Sequence, residues 1–148
     1  MKFFEQFFHF DGENASILVK DKMNDLQKRL LKFSAEVFLA LQKLPYNVDL
    51  RDNKNQLIRA STSPGAHYGE AQSATSRKDF IYKIGAVLKE LRESYYWLMF
   101  FKEINPSNKD LTTLSNEAEE LVKIFATIRK NASLNNSAEL THPPTATT

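Results

Sequence analysis

The sequence predicts an all-α protein, an antiparallel up-down-up-down four-helix bundle with an N-terminal arm and a disordered C-terminal tail. Three observations carry that prediction. Apolar residues recur at three- and four-residue steps through three long segments, the spacing that gathers side chains on one face of a helix. With only 4 Gly and 5 Pro in 148 residues, the chain lacks the turn residues that many short strands require. The breaks at Pro45 and at Asn105-Pro106 leave only short connections, which favour antiparallel neighbours. The chain is expected to divide into an aromatic arm and connector over 1–23, a bundle over 24–130 and a tail over 131–148.

Residues 1–10 hold five of the 11 phenylalanines. Phe3, Phe4, Phe7 and Phe8 have the spacing of a short amphipathic helix, closed by Asp11-Gly12. With Lys2 as its only basic residue, this arm suits packing on protein better than on a membrane surface. The first bundle helix is expected from Asn24 or Asp25 to Pro45, with Leu26, Leu30, Phe33, Val37, Leu41 and Leu44 as its stripe and Leu31, Ala35 and Phe38 widening it. The second, from about Leu50 to Ala74, is rich in small residues that let a neighbour approach closely. Pro64 inside it removes a backbone donor, so a kink or break is expected between Ser63 and Gly65.

The third helix opens at Ser76 with Asp79 three residues on, a capping box. Phe80, Ile84, Leu88, Leu91, Tyr95 and Leu98 form its stripe, and Lys83, Lys89, Glu90, Arg92 and Glu93 fall outside it. Tyr95 to Phe101 are seven apolar or aromatic residues in a row, which wrap the whole helix and call for cover beyond one bundle core. Tyr95, Tyr96, Trp97, Met99, Phe100 and Phe101, with the phenylalanines of the arm, are therefore the candidate oligomer interface. Ser107 and Asp110 suggest a second capping box, with a fourth helix running to about Lys130. The Asn-, Ser- and Thr-rich residues beyond it predict disorder.

Composition excludes several functions. The absence of cysteine removes disulfides, thiolate metal sites and cysteine nucleophiles, and fits a cytoplasmic protein. No apolar run is long enough to span a membrane, and Glu5, Gln6 and His9 interrupt any secretory signal. The three histidines, two of them in terminal segments, cannot supply the paired Glu-x-x-His motifs of a di-iron bundle. No phosphate-binding glycine loop or activated nucleophile is apparent, so no enzymatic activity, metal or cofactor is expected. Charge is more informative. Residues 24–61 carry seven basic against four acidic groups, residues 77–103 six against four, and residues 107–130 four of each. Positive charge is thus biased onto the first three helices, making Lys28, Arg29, Lys32, Arg51, Lys54, Arg59, Arg77, Lys78, Lys83, Lys89 and Arg92 candidate contacts for RNA or DNA phosphates.

The stretch RASTSPGAHYGEAQSA at 59–74, followed by SRKDFIYK, LKELRE and YWL, resembles the small four-helix-bundle proteins encoded in intervening sequences of bacterial 23S ribosomal RNA genes. DLQKRLLKF at 25–33 is similar to the first helix of that family, so the likeness covers roughly 24–130. The matching positions are Arg59, Ser61, Ser63, Glu70, Ala71, Ser76, Asp79, Phe80, Lys83, Lys89, Glu90, Glu93, Tyr96 and Trp97. Pro64 stands where the family usually has Val or Ile, His67 where it has Asn, and Gly69 often where it has a longer polar residue. The resemblance implies a homo-oligomeric ring, with a pentamer favoured, and no enzymatic activity. A similar accessory protein of diversity-generating retroelements binds nucleic acid and a reverse transcriptase, which raises the expectation of nucleic-acid binding. The alternative is a protein-interaction module that docks a partner through its aromatic surface. The acidic motif residues also suit pairing within the bundle, as in Asp79 with Lys83 or Lys89 with Glu93, each four apart.

Overall fold

The computed structural model describes residues 15–141, and the side chains of residues 17–134. Four α-helices carry the described residues: α1 (Ala15–Lys43), α2 (Arg51–Gln72), α3 (Arg77–Ile104) and α4 (Lys109–Thr141), with a short 3-10 turn, Val48–Leu50, ahead of α2. Successive helices run antiparallel. Gln27 on α1 meets Gly65 while Ser34 meets Ser61, and Arg29 meets Glu117 while Lys43 meets Asp110. α3 packs along α2 on one side and α4 on the other, and the α1–α4 seam is the loosest. The core holds Leu30, Phe33, Leu57, Ile84, Leu91, Leu111, Leu121 and Phe125, all fully buried. The Tyr68 ring meets Phe125 edge-on at 5.2 Å, and burial raises the Tyr68 phenol pKa.

Both outer helices are longer than their composition suggests. α1 begins at Ala15 rather than near Asn24, because Val19 and Met23 extend the buried stripe by two more turns. α4 continues past Lys130 to Thr141, where disorder was expected. Ala132 is fully buried, and no helix breaker intervenes before Pro143-Pro144. Asn and Ser cost at most about 0.7 kcal/mol each relative to Ala, which an established helix tolerates. The phenylalanine arm (Phe3, Phe4, Phe7 and Phe8) and the last seven residues lie outside the described residues.

Pro64 lies inside α2 and does not end it. The missing N–H leaves the Ala60 carbonyl without its usual donor, and hydroxyls reinforce the turns around it. Thr62 donates to the Ile58 carbonyl (2.8 Å), Ser63 to that of Arg59 (2.7 Å), and Ser34 reaches over from α1 to that of Ser61 (2.7 Å). Gln27 clamps the same seam. Its amide nitrogen donates to the Gly65 carbonyl and its oxygen accepts from Gln72, both at 2.9 Å. The break expected at Ser63 to Gly65 is therefore absent.

The caps follow the sequence at α3 and depart from it at α4. Ser76 accepts from the Asp79 N–H at 3.1 Å, and the Asp79 carboxylate accepts from the Thr75 N–H at 3.1 Å and from Lys83 at 2.8 Å. Lys83 and then the Thr75 N–H hold the Asp79 pKa below its usual value. At α4 the cap is Asn108 rather than Ser107, its side-chain oxygen accepting from the Leu111 N–H at 3.0 Å.

Candidate nucleic-acid interface

The cations singled out in the sequence have separate fates in the fold. Arg77 is buried, with 6% of its surface exposed, and cannot reach a phosphate. Arg29 makes a bidentate pair with Glu117 at 2.6 and 2.9 Å, closing the α1–α4 seam; that hydrogen bond raises the pKa of the guanidinium. Lys83 is held by Asp79. Lys32 and Arg51 lie 3.7 and 3.8 Å from Glu36 and Asp52, and Lys54 reaches the Leu41 and Pro45 carbonyls. Lys28, Arg59, Lys78, Lys89 and Arg92 form no ion pair among the described residues. The suggested Lys89–Glu93 pair does not form.

Three of these unpaired cations share one surface. Lys78, Tyr82, Gly85, Lys89, Arg92, Tyr96 and Met99 follow one another at alternating four- and three-residue steps, so they form a single stripe on α3. All are exposed except the half-buried Gly85; Tyr82 is 77% exposed and Tyr96 63%. The opposite face of α3 carries Phe80, Ile84, Val87, Leu91, Leu98 and Phe101 into the core, and this fixes which way the stripe looks. The result is a row in which positive charges alternate with tyrosine rings.

α4 adds two cations that the sequence reading passed over. Arg129 and Lys130 are exposed and, like Arg92, form no ion pair among the described residues. A depression of about 260 Å³ between the helices is lined by Leu88, Arg92, Ala126, Arg129, Lys130 and Ser133. The Arg129 guanidinium lies across Gly85: a β-carbon built there would sit 3.5 Å from its Cζ and Nε. Summed charge concealed this pair. The acidic Asp110, Glu117, Glu119 and Glu120 occupy the first half of α4, so a net charge of zero over residues 107–130 hides the adjacent Arg129 and Lys130 in its second half.

The aromatic girdle is largely covered by its own chain. Leu98 and Phe101 are fully buried, and Tyr95, Trp97 and Phe100 are half-buried against the core. Phe101 is thus a core residue and not available to a partner. Trp97 meets Tyr96 edge-on at 5.2 Å and Phe100 at 5.8 Å, and Phe100 meets Phe101 at 5.5 Å, a row of ring contacts that spreads the cover. Tyr96 and Met99 are left outside. More apolar surface is exposed on α1, where Leu31 (68%), Phe38 (45%) and Leu39 (57%) face outward although Leu31 and Phe38 were expected to widen the core stripe.

The other motif residues have structural places. Ser61 is buried with its hydroxyl on the Ile58 carbonyl, Phe80 is buried, and Glu70 lies 3.9 Å from His67 on the surface of α2. Glu90 and Glu93 are half-buried on α3. Among the described residues no three His, Asp or Glu side chains gather as a metal site would need, and no helix is long and apolar enough to cross a membrane.

The profile of a family described as 23S rRNA-intervening sequence protein matches residues 22–127. A solved structure of a protein of unknown function from the S23 ribosomal protein family, from Bacteroides thetaiotaomicron, is similar at 28% identity with a TM-score of 0.61. The likeness covers 70% of this chain and 97% of that one. No curated protein matches the chain.

Proposed function

The chain belongs to the 23S rRNA-intervening sequence protein family, and from that premise we propose that it is a non-enzymatic helical scaffold that assembles with copies of itself and binds nucleic acid through the outer face of α3. The observation that carries the reading is the stripe of Lys78, Lys89 and Arg92, cations without carboxylate partners on one exposed face. Cations already neutralised within the protein have little to gain from a phosphate. When these three neutralise phosphates, the counterions condensed on the nucleic acid are released, and that release drives binding. Self-association is supported by the outward Leu31, Phe38 and Leu39 of α1, and the family resemblance favours a pentamer.

Fluorescence anisotropy with labelled RNA and DNA over a salt series tests the binding, with light scattering for mass. Affinity that falls as salt rises supports the reading; no binding, or binding indifferent to salt, refutes it. The competing reading, a module that docks another protein, is favoured by the exposed Tyr96 and Met99 at the end of the same stripe. Recovery of a stoichiometric protein partner without nucleic acid would decide for it.

A further inference from the structure

From the pattern on α3 and α4 we infer that the ligand is a single-stranded polynucleotide, with a backbone phosphate seated among Arg92, Arg129 and Lys130 and bases stacked on Tyr82 and Tyr96. This rests on the nucleic-acid reading above and narrows it. A duplex backbone needs only positive charge. On a nucleic acid, exposed aromatic rings contribute along the strand where bases are unpaired and can turn a face toward the protein. A tyrosine 77% exposed and another 63% exposed, on one helix face with lysine and arginine between them, have that form. The two rings stand about 21 Å apart along the axis at 1.5 Å per residue. That span corresponds to about six nucleotides at the 3.4 Å spacing of a stacked strand.

The phosphate seat comes from two helices. Arg92 reaches the depression from α3, and Arg129 and Lys130 from the second half of α4. None of the three forms an ion pair among the described residues, and all three line one small hollow. Gly85 leaves a bare shelf on which the Arg129 guanidinium lies flat, with its atoms 3.5–3.6 Å from where a side chain would begin. A guanidinium so placed presents its N–H edge along the surface, the arrangement that suits phosphate oxygens.

The two halves of the site leave different signatures. In Arg92→Ala with Arg129→Ala, the slope of log affinity against log salt should shrink by about 0.7, since the one phosphate seated there contributes about 0.7 on a single strand. In Tyr82→Ala with Tyr96→Ala, affinity for single-stranded RNA or DNA should fall about fivefold to hundredfold for each stacked base while the slope stays as in the wild type. Both pairs of residues are exposed, and unchanged circular dichroism melts would confirm that each variant is folded. The probes are labelled twelve-nucleotide single strands of RNA and of DNA and the matching duplexes, and the arms show which sugar is preferred. If the protein binds duplexes as tightly as single strands and the tyrosine variant matches the wild type, the inference fails while the broader reading stands. If no probe binds at all, both fail.

Discussion

Replacing Phe101 and Tyr96 separately should separate core from surface within one aromatic run. Phe101 is fully buried, whereas Tyr96, five positions earlier, is 63% exposed. Phe101→Ala removes a ring enclosed on all sides by its own bundle and leaves a cavity, which typically costs about 3–5 kcal/mol. Tyr96→Ala removes area already in water and one edge contact with Trp97 at 5.2 Å, so it should cost under about 1.5 kcal/mol. Urea unfolding followed by circular dichroism measures both. With a slope of about 2 kcal/mol per molar urea, the Phe101 variant should lose about 1.5–2.5 M in midpoint and the Tyr96 variant well under 1 M. The comparison is made at one protein concentration, because self-association would make the midpoints concentration-dependent. Equal losses for the two variants would refute the placement of Phe101 in the core.

Other consequences follow from single contacts. A double-mutant cycle on Arg29 and Glu117 should give a coupling of about 1 kcal/mol, at the upper end for a part-exposed pair because the geometry is bidentate; a coupling near zero would show that the pair does not hold the α1–α4 seam. Gly85→Ala should raise stability by about 0.5–1 kcal/mol in thermal or urea melts, since the added β-carbon meets Arg129 at ordinary contact distance and the helix gains a better former. Asp79 has a lowered pKa, so its stabilising effect is complete above the ordinary carboxylate range and is lost as pH falls below that range. Acid unfolding of Asp79→Asn should therefore lose part of the wild-type pH dependence below about pH 4.

The fold was legible because the buried stripes of α1, α3 and α4 repeat with helical spacing, and spacing depends only on which residues are apolar. The helix ends were less so. Ile17, Leu18 and Val19 are too few to show a period alone, and only Val19 turns inward; Met23 then joins it to the longer stripe. The Asn-Ser composition after Lys130 says nothing of the buried site that Ala132 fills. Pro64 leaves α2 unbroken, with the hydroxyls of Ser34, Thr62 and Ser63 supporting the backbone around it. Seven aromatic and apolar residues in succession look too broad for one bundle, yet the core encloses Leu98 and Phe101 and half-covers Tyr95, Trp97 and Phe100.

For the candidate site, sequence shows where cations are and not which are already paired. Arg29 with Glu117 spans a separation of 88 residues, and no local pattern announces it. The stripe on α3 could have been found from spacing alone, since Lys78, Tyr82, Lys89, Arg92 and Tyr96 follow one helical row. Arg129 and Lys130 were discoverable only by dividing the charge of α4 between its halves.

The most direct test reverses the same amount of charge in two places. Lys78→Glu with Lys89→Glu and Arg92→Glu alters the unpaired stripe, and Lys32→Glu with Lys43→Glu and Arg51→Glu alters cations that already face carboxylates. Anisotropy at one salt concentration should show binding of labelled RNA abolished in the first and retained within about tenfold in the second. Equal losses would mean that net charge alone governs binding, and would contradict the assignment of the interface to α3.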